Sequence, residues 1–169
     1  MNTLGDQRDF KILDTQNMYS HIEHLPEQLM SAWKLGMQQS LPETRVVRSV
    51  VIAGMGGSAI GADLLLGYSA AIGPTPLTVI REYDLPSWVQ GPETLFIASS
   101  HSGNTEETLS AWAEAKRRSC SMLAITTGGK LETEAHQAGA PCWHFDFSGQ
   151  PRAAVGYSFG LLLCLFSRM

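Results

Sequence analysis

Small and hydroxyl-bearing residues gather in two loops of this 169-residue chain, each placed where a strand is predicted to end and a helix to begin. The glycine loop, residues 54–61, reads GMGGSAIG, and the hydroxyl loop, residues 99–108, reads SSHSGNTEET. Such turns direct backbone N–H groups, hydroxyls and a helix N-terminus to one place, which lets a protein bind a phosphate without a cation. Because the carboxyl ends of parallel strands meet at one edge of a sheet, the two loops predict a shared anion site.

Besides a tight turn without a ligand, which is the default for any one such loop, the glycine loop has two interpretations. In the first, Gly56 and Gly57 let a ligand approach the backbone closely, and Ser58 is the N-cap of the following helix, with a hydroxyl that can turn toward a ligand. In the second, residues 54–59 fit the dinucleotide pattern G-x-G-x-x-A loosely, with Glu82 after the second strand as the acid that binds a ribose. The hydroxyl loop is needed to choose between them.

The hydroxyl loop favours a phosphate. Four hydroxyl side chains follow the third predicted strand: Ser99, Ser100, Ser102 and Thr105. A dinucleotide site does not need them, whereas a phosphate dianion is bound well by several hydroxyl donors at a helix N-terminus. Thr105 is the predicted N-cap of that helix. We interpret Glu106 and Glu107, in its first turn, as complements to the helix dipole rather than as catalytic groups.

The elements that carry these loops alternate regularly along the chain. Strands are predicted at 49–53, 77–81, 94–98, 122–126 and 141–145, and helices at 58–68, 105–118, 130–138 and from residue 153 onward. This order predicts a parallel sheet with helices on both faces. Apolar residues at helical spacing over 17–39, interrupted by Pro26, predict two helices or one kinked helix before it. The last helix is apolar on nearly all sides and is therefore expected to be buried on two sides.

Composition excludes several classes of partner. A net charge of −4 with only 12 Lys and Arg argues against nucleic-acid binding, and we interpret Lys116–Arg118 as a solvated helix end. The three cysteines form no C-x-x-C pair, so we expect free thiols in a reducing cytoplasm, and no metal site. The N-terminus lacks an apolar signal segment, and the longest apolar run, 161–166, is too short to span a bilayer.

Five strings of the sequence carry a resemblance to a known family: GMGGSAIG, REYDLPSWV, IASSHSGNTEETLSA, AITTGGKL and QPRAAVGYSF. Together they resemble the bifunctional phosphoglucose/phosphomannose isomerases of the sugar isomerase (SIS) domain superfamily. The resemblance implies an α/β fold: a three-layer α/β/α sandwich with a parallel, roughly five-stranded, flavodoxin-like sheet, preceded by N-terminal helices. It also implies an aldose–ketose isomerase that interconverts glucose 6-phosphate or mannose 6-phosphate with fructose 6-phosphate and needs no metal or other cofactor.

The resemblance also implies which residues bind the phosphorylated hexose. These are Gly56, Gly57, Ser58, Ser100, Ser102, Thr105, Pro151 and Arg152. Arg152 is the one expected to be catalytic, because a fixed guanidinium can stabilise the charge of the enediolate through which isomerisation passes. His101 stands where the family usually has a tyrosine, and beside a bound phosphate we expect it to be held protonated.

The family resembles a tandem of two SIS domains, and this sequence matches the first. We expect residues 1–45 to form a helical segment that packs on the domain, and residues 46–169 to form the first SIS domain, without the second. The proton-transferring glutamate of the family lies beyond residue 169, so this chain is expected to bind phosphosugar and to lack the catalytic base.

The resemblance further implies a cytoplasmic homodimer, with no membrane or nucleic-acid partner. The alternative function is a stand-alone SIS module that senses phosphosugars without catalysis. A nicotinamide-dependent oxidoreductase is disfavoured, because such an enzyme would not need the hydroxyl loop.

Overall fold

Five strands and six helices alternate along the part of the chain that the computed structural model describes, residues 12–43 and 46–169. The strands are β1 (Ser49–Gly54), β2 (Leu77–Ile80), β3 (Thr94–Ser100), β4 (Ser121–Thr126) and β5 (Cys142–His144). The helices are α1 (Met18–Glu23), α2 (Leu25–Gln38), α3 (Gly56–Ser69), α4 (Glu106–Arg117), α5 (Gly129–Gln137) and α6 (Val155–Arg168), with a 3₁₀ turn (Pro151–Ala153) before α6. The five strands and the helices between them confirm the predicted elements. The first 11 residues and residues 44–45 of the predicted N-terminal segment lie outside the described residues.

The strands form one parallel sheet in the order β2-β1-β3-β4-β5. Every residue of β3, the central strand, is buried, as expected for a strand covered on both faces. Successive side chains point to opposite faces, so Ile97 packs toward Leu161 of α6, while Phe96 packs toward Trp112 of α4. Helices α2, α3 and α6 cover one face, and α4 and α5 cover the other. The predicted α/β/α sandwich is therefore confirmed.

Helix α6 is buried between α2 and α3, which confirms the interpretation of its apolar sequence. Small residues let α6 approach α2 closely, in a contact that we call the α2–α6 seam. A methyl group on Gly156 would stand 2.6 Å from Cβ of Gln28, and one on Gly160 would stand 2.7 Å from Cβ of Ala32. The break predicted at Pro26 is also confirmed: α1 ends at Glu23, and the proline occupies the first turn of α2, where its missing N–H costs nothing.

The basic triplet 116–118 is not a simple solvated helix end, so that interpretation was wrong for Arg118. Its guanidinium donates at 2.6–3.1 Å to three main-chain carbonyls of the β2–β3 connection, those of Leu85, Pro86 and Val89. Both Arg117 and Arg118 pair with Glu114, but Arg117 remains exposed. Arg118 thus holds a connection that has no helix or strand of its own, since charged donors satisfy carbonyls that a regular element would otherwise pair.

The three cysteines are free, with Cys120 and Cys164 buried and Cys142 half-buried. Burial, followed by the charge of Glu132, raises the pKa of the Cys142 thiol to about 11. Across the described residues, His, Cys, Asp and Glu form no group of three that could hold a metal ion. Helices within the same residues are all too short or too polar to span a membrane.

Candidate functional site

The glycine loop and the hydroxyl loop meet at the carboxyl edge of β1 and β3. These strands are direct neighbours, with Gly54 in register with Ser99, so α3 and α4 begin side by side. The N–H group of His101 in the hydroxyl loop donates to the Ser58 hydroxyl in the glycine loop at 3.1 Å. The loops are therefore joined directly, as the two-loop argument from the sequence predicts.

Ser58 is not the N-cap of α3, so this prediction was wrong. The helix begins two residues earlier, at Gly56, and the N-cap is Met55, whose extended backbone (φ −125°, ψ 155°) makes the turn from β1. Ser58 is buried in the first turn, where its hydroxyl accepts from His101 and its carbonyl accepts from the Ser158 hydroxyl at 3.1 Å. A serine before an apolar run is compatible with either position, which is why the sequence misplaced it.

Thr105 is the N-cap residue of α4, as predicted, but its hydroxyl does not cap the helix. Its Oγ1 lies 3.1 Å from Oγ of Ser100, and no side-chain cap bond satisfies the first turn of α4. Ser102 is exposed at the rim of the same loop and accepts from the N–H group of Asn104 at 3.2 Å. The loop thus places three hydroxyls beside a helix N-terminus whose N-cap side chain is turned elsewhere; Ser102 is exposed, Thr105 half-buried and Ser100 buried.

A third turn, between β4 and α5, supports the hydroxyl loop, and the sequence reasoning gave it no role. The Thr127 hydroxyl donates to the His101 carbonyl at 2.7 Å, and the Leu131 N–H donates to the Gly103 carbonyl at 2.9 Å. The Lys130 N–H donates to Oδ1 of Asn104 at 3.1 Å. The signal that could have revealed this turn is the Thr-Thr-Gly-Gly string at the end of β4, which repeats the strand–glycine–helix pattern of the glycine loop.

The turn that carries Pro151 and Arg152 rests directly on the glycine loop. A methyl group on Gly57 would stand 2.7 Å from the Pro151 carbonyl oxygen and 2.9 Å from Cα of Arg152. From the other side, Nε2 of Gln28 in α2 donates to the Ala153 carbonyl at 2.9 Å. The turn is therefore fixed between α2 and the start of α3, while the Arg152 side chain is exposed.

The ring of His101 points into a cluster of aromatic side chains. It packs edge-on against Phe145 and Phe147, with ring centroids 6.0 and 5.9 Å apart. Nε2 is buried and has no hydrogen-bond partner among the described residues. Burial lowers the pKa of His101 in the unliganded chain. The protonated state that the sequence analysis expects beside a bound phosphate stays a prediction.

The carboxylates near the site fall into two groups. Glu106 and Glu107 lie in the first turn of α4, as expected of dipole complements, and the Tyr83 hydroxyl lies 3.5 Å from Oε2 of Glu106. The second group is Glu132 and Asp146, which lie on either side of the His144 ring. Nδ1 of His144 is 2.9 Å from Glu132, and its Nε2 is 3.3 Å from Asp146.

We expect the His144 cluster to stabilise the fold more at low pH than at high pH. Burial alone lowers the pKa of His144, but hydrogen bonds and charge from Glu132 and Asp146 outweigh it and raise the pKa. Because the native state binds this proton more tightly than the unfolded chain, the stabilisation is complete below about pH 6.5 and is lost as the pH rises through the raised pKa. Urea unfolding of wild type and His144→Gln should differ more at about pH 6 than at about pH 8.5. Glu132→Gln should reduce that pH dependence, and an unchanged profile in both variants would contradict the prediction.

With the geometry established, comparison with known proteins identifies the relatives of the chain. A bifunctional phosphoglucose/phosphomannose isomerase from Caldicellulosiruptor bescii is 44% identical over 153 residues, which are 90% of this chain and 45% of that protein. This chain is a homologue of those isomerases. No family model matches it. This chain spans less than half the length of the Caldicellulosiruptor bescii relative.

Solved structures with the same fold agree with this homology. A tagatose-6-phosphate ketose/aldose isomerase from Escherichia coli aligns with a TM-score of 0.65 at 20% identity, over 89% of this chain and 47% of that one. The Vibrio vulnificus NanR protein, solved in complex with ManNAc-6P, aligns with a TM-score of 0.57 at 17% identity, over 95% and 63%. At these identities the comparison establishes the fold, which is that of SIS phosphosugar isomerases.

Proposed function

We propose that this chain is the phosphosugar-binding half of an aldose–ketose isomerase that interconverts glucose 6-phosphate or mannose 6-phosphate with fructose 6-phosphate. The observation that carries the proposal is the junction of three segments at one edge of the sheet. The His101 N–H binds the Ser58 hydroxyl at 3.1 Å, and Gly57 sits against the backbone of Pro151 and Arg152. The name of the 44% identical relative supplies the substrates.

In this proposal the hydroxyl loop binds the phosphate. Ser100, Ser102 and Thr105 present hydroxyls, and the first turn of α4 presents backbone N–H groups that no N-cap side chain occupies. A dianion at this point is stabilised by the positive end of the helix dipole. No cation is required, in keeping with the acidic composition of the chain.

The glycine loop and the turn before α6 then hold the sugar. Gly56 has open space where a side chain would stand, so a hexose can reach the backbone there, beside Gly57 and Ser58. Isomerisation moves a proton between C1 and C2 and passes through an enediolate. Pro151 fixes the turn, and the Arg152 guanidinium stabilises the developing negative oxygen. The Arg152 side chain is exposed, so a ligand can reach it.

The proton itself needs a base, and we propose that residues outside this stretch of sequence provide it. Glu106 and Glu107 lie in the first turn of α4, and Glu106 is close to the Tyr83 hydroxyl. There they complement the helix dipole rather than transfer the proton. The same proposal makes residues 46–169 the first of two SIS domains, with residues 1–45 packed on it, in a cytoplasmic homodimer.

Calorimetric binding of fructose 6-phosphate to this chain tests the proposal. Ser102→Ala and Arg152→Ala should each weaken binding by roughly tenfold to a hundredfold, because each removes a hydrogen bond to a charged group. Matched controls lie at the opposite edge of the sheet, where Ser121→Ala and Arg48→Ala should leave the affinity unchanged.

A coupled isomerase assay on the same samples separates the enzyme from the sensing module. If turnover appears when the second half of an isomerase relative is added, the chain is the binding half of an isomerase. Binding without restored turnover favours the stand-alone sensor, and turnover by the chain alone would make Glu106 or Glu107 the candidate base. Absence of any binding, or equal loss in the controls, would contradict the assigned site.

A further inference from the structure

The β5–α6 connection, which we define as residues 145–150, carries the aromatic side chains that surround His101. Phe145 stacks on Tyr157 of α6 at 5.2 Å, and Phe147 lies 6.0 Å from the same ring. His101 packs edge-on against both phenylalanines. We call the rings of Phe145, Phe147 and Tyr157 the aromatic cage. Because the connection leads directly into Pro151 and Arg152, the cage joins the hydroxyl loop to the turn that presents the guanidinium.

The backbone of His101 is held as firmly as its ring. Its N–H donates to the Ser58 hydroxyl at 3.1 Å, and its carbonyl accepts from the N–H and the hydroxyl of Thr127 at 3.1 and 2.7 Å. One residue therefore connects the glycine loop, the turn after β4 and, through its ring, the β5–α6 connection.

The cage suits an uncharged imidazole and not an imidazolium. Both ring nitrogens of the charged form are donors, yet the buried Nε2 has no acceptor among the described residues. Burying an unpaired charge costs far more than burying a neutral ring. Consistent with this, burial lowers the pKa of His101, and no charged neighbour contributes to the shift.

Other titratable groups around the cage do not replace that missing acceptor. His21 of α1 packs against Phe147 at 5.3 Å, and Tyr157 contributes its ring face to the stack. Asp146, between the two phenylalanines in sequence, is fully exposed and directs its carboxylate to His144. In the hydroxyl loop the direct neighbours of His101, Ser100 and Ser102, are neutral, and the acids Glu106 and Glu107 lie in the first turn of α4.

We propose that His101 is a positioning residue of the phosphosugar site, whose uncharged ring locks the hydroxyl loop to the turn of Arg152 and whose protonation releases that lock. This rests on the proposed function and adds to it a pH-sensitive element. The uncharged ring keeps the phosphate-binding hydroxyls and the guanidinium at a fixed separation. The charged ring leaves the cage for water, and the β5–α6 connection loses its contact with the hydroxyl loop.

The test begins with the unliganded chain, labelled with ¹⁵N and titrated by NMR. The His101 ring signals, assigned by their absence in His101→Phe, should titrate below the ordinary value of about 6.5. Amide signals of Gly57 and Arg152 should shift with the same midpoint, and in His101→Phe that shift should vanish. His21→Asn is the matched control, because it removes the other histidine at Phe147 and should leave the midpoint unchanged.

The second arm measures the affinity for fructose 6-phosphate between about pH 7.5 and pH 5.5. The ligand phosphate also titrates, near pH 6, but it does so equally in every variant, so the ratio to His101→Phe isolates the histidine. Below the midpoint, the affinity of wild type, divided by that of His101→Phe, should fall by up to about tenfold per pH unit. His101→Ala removes the ring packing as well, so at pH 7.5 it should bind fructose 6-phosphate about tenfold more weakly than wild type. His101→Phe should recover the wild-type affinity at that pH.

Several results would overturn the inference. One is a His101 midpoint above 6.5, or one that rises when ligand binds, since the ring would then contact the phosphate as a cation. Others are shifts of the Gly57 and Arg152 amides that vanish in His21→Asn, or equal pH profiles of the affinity in wild type and His101→Phe. If fructose 6-phosphate does not bind at all, the proposed function fails, while the titration of the unliganded chain still decides whether His101 controls the Arg152 turn.

Discussion

Gly103→Ala is expected to lower the free energy of unfolding by about 3–5 kcal/mol. The residue has φ +64°, a region that strains any side chain, and its added methyl group would stand 1.8 Å from the Gly128 carbonyl oxygen. That neighbour is backbone and cannot rotate away. The Gly103 carbonyl also accepts from the Leu131 N–H at 2.9 Å, so the start of α5 must move with the loop.

A matched control separates the collision from the backbone strain. Gly91 has a comparable φ of +77° but nothing within 4 Å of the position that a methyl group would take. Gly91→Ala should therefore lose only about 1 kcal/mol. Urea unfolding followed by circular dichroism measures both variants. Equal losses would mean that the turn after β4 does not press on the hydroxyl loop as the structure shows.

Gly57→Ala is expected to weaken the binding of fructose 6-phosphate by roughly a hundredfold. An alanine is ordinarily preferred over glycine inside a helix, so α3 itself gains from the change. The methyl group, however, would stand 2.7 Å from the Pro151 carbonyl oxygen and 2.9 Å from Cα of Arg152. Both atoms are backbone, so the whole turn must shift and the guanidinium shifts with it.

Gly67→Ala provides the control for this second prediction. Gly67 lies in the same helix with open space around it, so alanine there should stabilise the fold by about 0.5–1 kcal/mol and leave the affinity unchanged. Calorimetry and thermal unfolding of both variants make the comparison. Wild-type affinity in Gly57→Ala would show that the contact between the Arg152 turn and the glycine loop is not part of the binding site.

The fold was predictable because its signals are local. Each strand is a short apolar run bounded by turn residues, and each helix between two strands follows a loop rich in small or hydroxyl residues. The meeting of the two loops followed from the rule that parallel strands share a carboxyl edge. Even the break before α2 could be inferred, because Pro26 acts on the backbone within one turn.

The details that sequence reasoning missed depend on residues far away along the chain. Arg118 is held by carbonyls about 30 residues earlier, and nothing in its neighbours distinguishes it from the exposed Arg117. The His101 ring is buried by Phe145 and Phe147, more than 40 residues later. Such contacts are a property of the assembled sandwich, so a pattern within one segment does not contain them.

The α2–α6 seam also sets the order in which contacts within this sandwich can form during synthesis. Helix α2 is synthesised more than 100 residues before α6, so the face of α2 that packs on α6 lacks that partner while the sheet is being made. Contacts between such distant segments carry a high closure entropy and form slowly. Gln28 meets the Ala153 carbonyl only when this seam closes, so the Arg152 turn is anchored only after all five strands of the sheet have been synthesised.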